Sequence, residues 1–236
     1  MKCKTDMGWS WTHKESFTSA GKKATLYHAT ETSSPLVVLN NYSGDGSSIV
    51  QAMREVECTD CSLLVVDDLA WNHDMAPWYC PPLHKVDVPC TGGADQFLEK
   101  LLNIIVPATC TRVEGEPLYL GIAGYSLAGL FALYAAHNCH AFTRVASVSG
   151  SLWFPNFIEY AITHDFERIP ERMYLSIGKR EAKTSNQYIR TVQSDTETLA
   201  AYYRARGIEI IYELNPGDHS KDYSLRLAKG IAAIVT

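Results

Sequence analysis

The sequence predicts an α/β fold in which a mostly parallel central sheet carries an antiparallel N-terminal hairpin at its edge and helices on both faces. Two observations carry that expectation. After the hairpin, strand-like and helix-like segments alternate to the end of the chain, and most of the strand-like ones are short β-branched runs of the kind buried on both sides. No Pro/Gly/Ser-rich linker or change of composition divides the 236 residues, so residues 1–236 read as one domain.

The hairpin comes first: polar and apolar residues alternate in ESFTSAGKKATLYHA on either side of a turn at Gly21. PLVVLNNY (35–42) is a buried strand running into a Ser-Gly-Asp-Gly loop, with a helix expected over 48–55. CSLLVVDD (61–68) repeats the buried-strand pattern, and about 25 residues rich in Trp, Pro, His and Cys follow it without a period, a length that usually marks a functional loop. Phe97, Leu98, Leu101, Leu102 and Ile105 recur at helical spacing, so a helix is expected over 94–106, ended by Pro107. PLYLGIAG is the next strand, and residues 127–136 form a helix apolar nearly all round, hence buried. Then come the strand RVASVSG, an aromatic excursion SLWFPNFIEY, the strand RMYLSIG, and a helix ending at Gly207 that starts at Ser194, by its capping-box spacing to Glu197, or earlier near Asn186. IEIIYEL, a PGDHS loop and a final helix complete the chain.

Composition narrows the partners. The charge is −5 and the pI near 5.9, with no Lys/Arg cluster to displace counterions from a phosphate backbone, which excludes a nucleic-acid partner. MKCKTDMGWS lacks a signal peptide's apolar stretch and no run of about 18 apolar residues could span a bilayer, so a cytoplasmic protein without a membrane partner is expected. Seven cysteines, an odd number, suit a reducing compartment; Cys58-x-x-Cys61 has no second pair to complete a zinc site and reads as free thiols near a helix end.

The chemistry centres on Gly124-Tyr125-Ser126-Leu127-Ala128, a G-x-S-x-G pattern with Ala in the last place, between an apolar strand and a buried helix. Small residues flank the serine because the strand must turn sharply into the helix, and the turn lifts the hydroxyl to the helix N-terminus, where N–H groups face developing negative charge. A serine nucleophile needs a base and an acid to orient it. His219, in Asn215-Pro216-Gly217-Asp218-His219 between the last strand and the last helix, meets the first need. For the acid, Glu181 stands three residues past the Gly178 that ends RMYLSIG, giving the order Ser, acid, His of this architecture. Asp222 is an alternative set too close in sequence to His219 to approach the right side of its ring, and Asp195 belongs to a helix start. The oxyanion hole is expected from the N–H of Leu127 and one N–H after PLVVLNNY, assigned to Tyr42.

These residues belong to an ordered set, GGADQFLEKLLNIIVP, GYSLAG, RVASVSGSLWF, GKRE and NPGDHS, through which the chain resembles the putative-esterase branch of the α/β hydrolases, which includes esterase D, siderophore-trilactone esterases and several carbohydrate esterases. The resemblance covers nearly all of the chain after the hairpin. It implies an α/β-hydrolase fold, a Ser126, Glu181, His219 triad, and hydrolysis of a small-molecule acyl ester with neither metal nor cofactor.

Trp71, His73, Asp74 and Trp78 lie in the irregular loop, which should follow a strand at the sheet's carboxyl edge, where ligand sites of α/β proteins form. Trp71, Trp78, Tyr79 and Trp153 are candidates for stacking on substrate, His73 and Asp74 for polar contacts, and Tyr125 for a pocket wall; two adjacent residues, His73 and Asp74, make no metal motif. An acyltransferase would share the elbow and differ only in the acceptor, whereas a binding protein on an inactive scaffold would lack the serine, the histidine or the hole.

Overall fold

The computed structural model describes residues 13–58, 60–83 and 86–236; the first ten residues and Cys3, read above for targeting and redox state, lie outside them. Strands β1 (Lys14–Ser19) and β2 (Lys22–Tyr27) form the expected hairpin. Ala20 and Gly21 turn it with φ of 50° and 76°, the positive values that match the right-handed twist of the two strands. The buried runs become β3 (Leu36–Asn40) and β4 (Ser62–Asp67), with α1 (Ser47–Glu55) between them. Leu36 to Leu39 and Leu63 to Val66 are unbroken apolar runs because both faces are covered: Leu36 and Val38 point into one core, Val37 and Leu39 into the other.

The irregular stretch holds elements too short to leave a period in the sequence, a single turn α2 (Trp71–Asp74) and a ribbon of β5 (Tyr79–Cys80) and β6 (Cys90–Thr91) that pairs Cys80 with Cys90. The next helix runs past its expected end. α3 (Ala94–Lys100) passes through a π-helical turn, Leu101–Ile105, into α4 (Val106–Cys110). Pro107 therefore does not stop it: the wide turn resets the hydrogen-bond ladder, and the proline falls at the start of a fresh α-helical segment, where it has no N–H bond to lose.

The remaining elements are β7 (Leu120–Tyr125), α5 (Leu127–His137), β8 (Phe142–Val148), α6 (Phe157–Thr163), β9 (Arg172–Gly178), α7 (Val192–Ala205), β10 (Glu209–Asn215) and α8 (Tyr223–Val235). α7 begins earlier than Ser194, behind a 3-10 turn over Ile189–Thr191; the Asn186 side chain accepts the N–H groups of Tyr188 and Ile189, and Ser194 Oγ only donates back to the Thr191 carbonyl. The main sheet is ordered β1-β2-β4-β3-β7-β8-β9-β10, with β4 through β10 parallel and the hairpin antiparallel at one edge. α1 and α8 cover one face, and α3, α5, α6 and α7 the other. Every residue of α5 is buried, as its all-round apolarity requires. Among the described residues no helix is long and apolar enough to cross a membrane, and six cysteines, Cys58 and Cys61 among them, form no disulfide.

His137, the last residue of α5, shows what that burial does to a titratable group. Its Nδ1–H donates to the His164 carbonyl (3.0 Å), its Nε2 accepts from the Tyr203 hydroxyl (2.9 Å), and its ring stacks on Phe166 at 3.9 Å. Burial lowers its pKa from 6.5 to about 4. Between those values the unfolded chain binds the extra proton, so stability present above pH 6.5 is lost as the pH falls toward 4. The loss is expected to reach about 3 kcal/mol, measured by urea denaturation at pH 7 and pH 4.5, and to shrink in His137→Phe.

Candidate active site

Ser126 sits between β7 and α5 with φ 59° and ψ −121°, a backbone conformation that an L-residue adopts only when its surroundings hold it there. Its N–H donates to the Val148 carbonyl (3.1 Å), and its own carbonyl accepts from Gly129 (3.0 Å), Leu130 (3.1 Å) and Ser151 (3.0 Å). The tight turn explains the small flanking residues. A Cβ on Gly124 would lie 2.2 Å from the Ala128 carbonyl oxygen, and one on Gly129 would meet Gly150 Cα at 3.0 Å. Ala128 keeps its methyl in the core, fully buried.

Parallel strands deliver their following loops to one rim, which is how residues far apart in sequence meet beside Ser126. The loops after β9 and β10 continue to pair, Lys179 N–H with the Asn215 carbonyl and Arg180 N–H with the Gly217 carbonyl, both at 2.9 Å. Glu181 and His219 are thereby brought together. His219 Nδ1 lies 2.6 Å from Glu181 Oε2 and His219 Nε2 lies 3.0 Å from Ser126 Oγ. The carboxylate can only accept, so Nδ1 carries the proton and Nε2 is left as an acceptor for the Ser126 hydroxyl. The Tyr125 hydroxyl donates to the His219 carbonyl (2.7 Å) and fixes that loop from below.

Glu181 is buried, and its second oxygen is fully engaged. Oε1 accepts from Gly178 N–H (2.7 Å), Ser149 Oγ (2.8 Å) and Arg226 Nη1 (3.1 Å). Burial pushes its pKa up, but the bonds from His219, Ser149 and Gly178 outweigh that and hold it below the ordinary value. Arg226 is 1% exposed; besides Glu181 it donates to Tyr125, Ser149 and the Pro216 carbonyl. Truncating one member of a buried ion pair strands the other. Arg226→Met is accordingly expected to destabilise the fold by about 3–5 kcal/mol, and Glu181→Gln introduced with it should recover part of that loss in a double-mutant cycle by urea denaturation.

Leu127 opens α5, so its N–H has no intrahelical acceptor. On the other side, Asn41 N–H is taken by the Val66 carbonyl (2.9 Å), and the next amide, that of Tyr42, has no hydrogen bond among the described residues. Tyr42 lines a cavity of about 420 Å³ with Ser126, Trp71, Tyr125, His219 and Tyr223. A second cavity, about 320 Å³, lies between Trp71, Trp153 and the β5–β6 ribbon, and a third, about 280 Å³, lies between Trp153, Glu181 and Ile189; Ser126 borders all three.

The structure thus brings Ser126, His219, Glu181, Leu127, Tyr42, Tyr125, Trp71 and Trp153 to one place. It does not bring His73, Asp74 or Trp78. His73 Nδ1 bonds Thr91 Oγ1 (2.7 Å) and its ring packs onto Gly93; buried Asp74 pairs with Lys22 (2.6 Å) and accepts Ala70 N–H (2.8 Å). Trp78 donates to the Pro155 carbonyl (2.8 Å) amid Tyr134, Phe154, Phe157 and Tyr160. All three hold the irregular segment against the core. Asp222 caps α8 and Asp195 lies in the first turn of α7, neither bonded to the His219 ring. The sequence reading missed Ser149, Arg226 and Tyr223. Arg226 had a signal, a charged residue on the stripe that Gly230 and Ile234 continue at four-residue steps.

The family described as Putative esterase matches residues 43–232, most of the chain. The uncharacterized protein YbbA of Bacillus subtilis (strain 168) is 23% identical over 177 residues, 70% of this chain and 71% of that protein. Among solved structures, an IroE-like serine hydrolase from Shewanella oneidensis superposes with a TM-score of 0.75 at 15% identity, over 93% of this chain and 79% of that one. The siderophore hydrolase EstA from Aspergillus nidulans does so with a TM-score of 0.69 at 19% identity, over 93% and 91%. At these identities the structural likeness establishes the α/β-hydrolase fold, and the family match goes further: the chain belongs to the putative-esterase family, carboxylic ester hydrolases.

Proposed function

We propose that the protein hydrolyses a small or medium carboxylic ester through an acyl-enzyme on Ser126. The observation that supports this reading is the unbroken chain of hydrogen bonds from Ser126 Oγ through the His219 ring to Glu181, at 3.0 and 2.6 Å. Ser126 Oγ attacks the ester carbonyl carbon while its proton passes to His219 Nε2. Glu181 holds the ring in the tautomer that can accept it and stabilises the imidazolium that results. The N–H groups of Leu127 and Tyr42 take the charge that develops on the carbonyl oxygen, and the α5 N-terminus adds a favourable field. Collapse expels the alcohol, which leaves with the proton from Nε2. Water then attacks the acyl carbon with His219 again as base, and the carboxylic acid departs.

The cavities on either side of Ser126 give the acyl and alcohol portions separate room. Among the described residues lining them there is no Lys or Arg, and Tyr42, Trp71, Tyr125, Trp153 and Tyr223 stand in an apolar wall that Leu83, Val88 and Ile189 help to complete. Aromatic walls of this kind favour uncharged acyl and alcohol groups close to the ester.

Treatment with a fluorophosphonate, followed by peptide mapping and p-nitrophenyl acetate hydrolysis, tests the reading. Adduct on Ser126 with stoichiometric loss of turnover is expected; full turnover without an adduct there would refute it. A panel of acetyl, feruloyl, thioester and siderophore-lactone substrates then ranks the acyl and alcohol preferences.

A further inference from the structure

A second cavity system lies at the other end of the strands. It measures about 370 Å³ and is bordered by His13, His28, Glu31, Arg112 and Glu114, together with Leu36 and Ser62 at the amino ends of β3 and β4. Ser126 follows the carboxyl end of β7, so this cavity and the candidate active site occupy opposite rims of the sheet.

His13 directly precedes β1 and His28 directly follows β2. The His28 N–H donates to the His13 carbonyl (3.0 Å), which extends the hairpin ladder by one pair and sets the two imidazoles side by side, ring centroids 5.3 Å apart. Glu15 is two residues along β1 and therefore shares the face of His13. One donor atom from each of His13, Glu15 and His28 lies within 4.8 Å of the other two. Ligand atoms about 2.0–2.2 Å from a tetrahedral zinc ion are about 3.4 Å apart, a separation that small side-chain rotations would reach. Glu15 Oε1 and His28 Nε2, 3.6 Å apart, are shielded from solvent and have no hydrogen-bond partner among the described residues, an unfavourable state for two polar atoms that a cation between them would relieve. Arg112 Nε, 3.7 Å from Glu15 Oε1, is the competing cation, and its guanidinium is drawn off over the Phe17 ring at 4.2 Å.

We propose that His13, Glu15 and His28 form a binding site for a divalent transition metal, Zn²⁺ foremost, that staples the edge hairpin. Two imidazoles and one carboxylate match the borderline-soft preference of Zn²⁺ and are poor ligands for Mg²⁺ or Ca²⁺, which take oxygen donors. The cavity leaves room for water to complete the coordination. Among the described residues β1 pairs only with β2, so the metal ties this edge strand to its neighbour at the amino end of β1. The site escapes the sequence because its ligands come from both strands of a hairpin, and only the pairing register makes positions 13, 15 and 28 neighbours.

Isothermal titration of the full-length, chelator-stripped protein with Zn²⁺ is the test, with Mg²⁺ as the control. One Zn²⁺ per chain is expected, raising the Tm, with binding about tenfold or more weaker in His28→Gln and Glu15→Gln and tighter in Arg112→Gln. His13→Gln, at an exposed position, is the safeguard should the other two disturb the hairpin. Co²⁺ in place of Zn²⁺ should give visible d–d bands without the near-ultraviolet charge-transfer band of a thiolate. Hydrolysis of p-nitrophenyl acetate should be unchanged in all four variants, which separates this site from the chemistry proposed at Ser126. Absence of Zn²⁺ binding by the wild type, binding equal in the three ligand variants, or a thiolate band traceable to the cysteines would each overturn the proposal.

Discussion

Ser126→Ala is expected to lower kcat for p-nitrophenyl acetate by about 10⁴- to 10⁶-fold with little change in the thermal unfolding midpoint. The size of the loss follows from what the hydroxyl does. In the proposed mechanism no acyl-enzyme forms without Oγ, and the remaining rate comes from binding and from the amides proposed as the oxyanion hole, those of Leu127 and Tyr42. The fold is spared because the turn is set by backbone contacts. Ser126 N–H to Val148, and Ser126 O from Gly129, Leu130 and Ser151, all survive the substitution. His219→Ala should cost a comparable factor, and the double variant no more than either single one, since the two residues act in one step.

Glu181→Gln is expected to reduce kcat by about 10³- to 10⁴-fold without a matching rise in KM, measured on the same ester. The surroundings decide how the amide sits. Gly178 N–H, Ser149 Oγ and Arg226 Nη1 converge on Oε1, so the amide oxygen must take that place and the NH₂ must face His219 Nδ1. A donor opposite Nδ1 favours the tautomer with its proton on Nε2, which then points N–H at Ser126 and can no longer act as base. Asp222→Asn and Asp195→Asn serve as controls, because neither carboxylate bonds the ring; both should retain turnover near that of the wild type.

The difference between Glu181 and its supporting residues shows where sequence reasoning works and where it stops. Ser126 was legible because a sharp strand-to-helix turn leaves a compulsory local pattern of small residues around one serine. That His219 and Glu181 meet beside Ser126 was legible by position, since each stands just past a strand that a parallel sheet must end at the same rim. Their support was not: Arg226 reaches Glu181 from α8, 45 residues further on, and its place on the stripe of Gly230 and Ile234 tells that it faces inward but not what it meets there. The cores of β3 and β4 and the whole of α5 could be read because burial on all sides leaves an unbroken apolar run, and the hairpin because its polar and apolar residues alternate. The irregular segment could not, since α2 and the strands of the β5–β6 ribbon span barely one period each, too little for a pattern to repeat, and nothing local tells which way a loop residue points. Thus His73 and Asp74, polar and near the carboxyl rim, turn to Thr91 and Lys22 and away from the Ser126 cavities. The π-turn before Pro107 was hidden for a related reason: Leu101, Leu102 and Ile105 keep helical spacing whether one turn is wide or not.

Acid-quenching the protein during turnover of p-nitrophenyl acetate and weighing the intact chain and its peptides tests the proposed chemistry most directly. A single acetyl group on the peptide carrying Ser126 is expected, appearing no more slowly than the first turnover, lost on chase with unlabelled buffer, and absent from Ser126→Ala. Sustained hydrolysis by the wild type with Ser126 unmodified throughout, or with the acetyl group building up at the rate of turnover on another side chain, would contradict it.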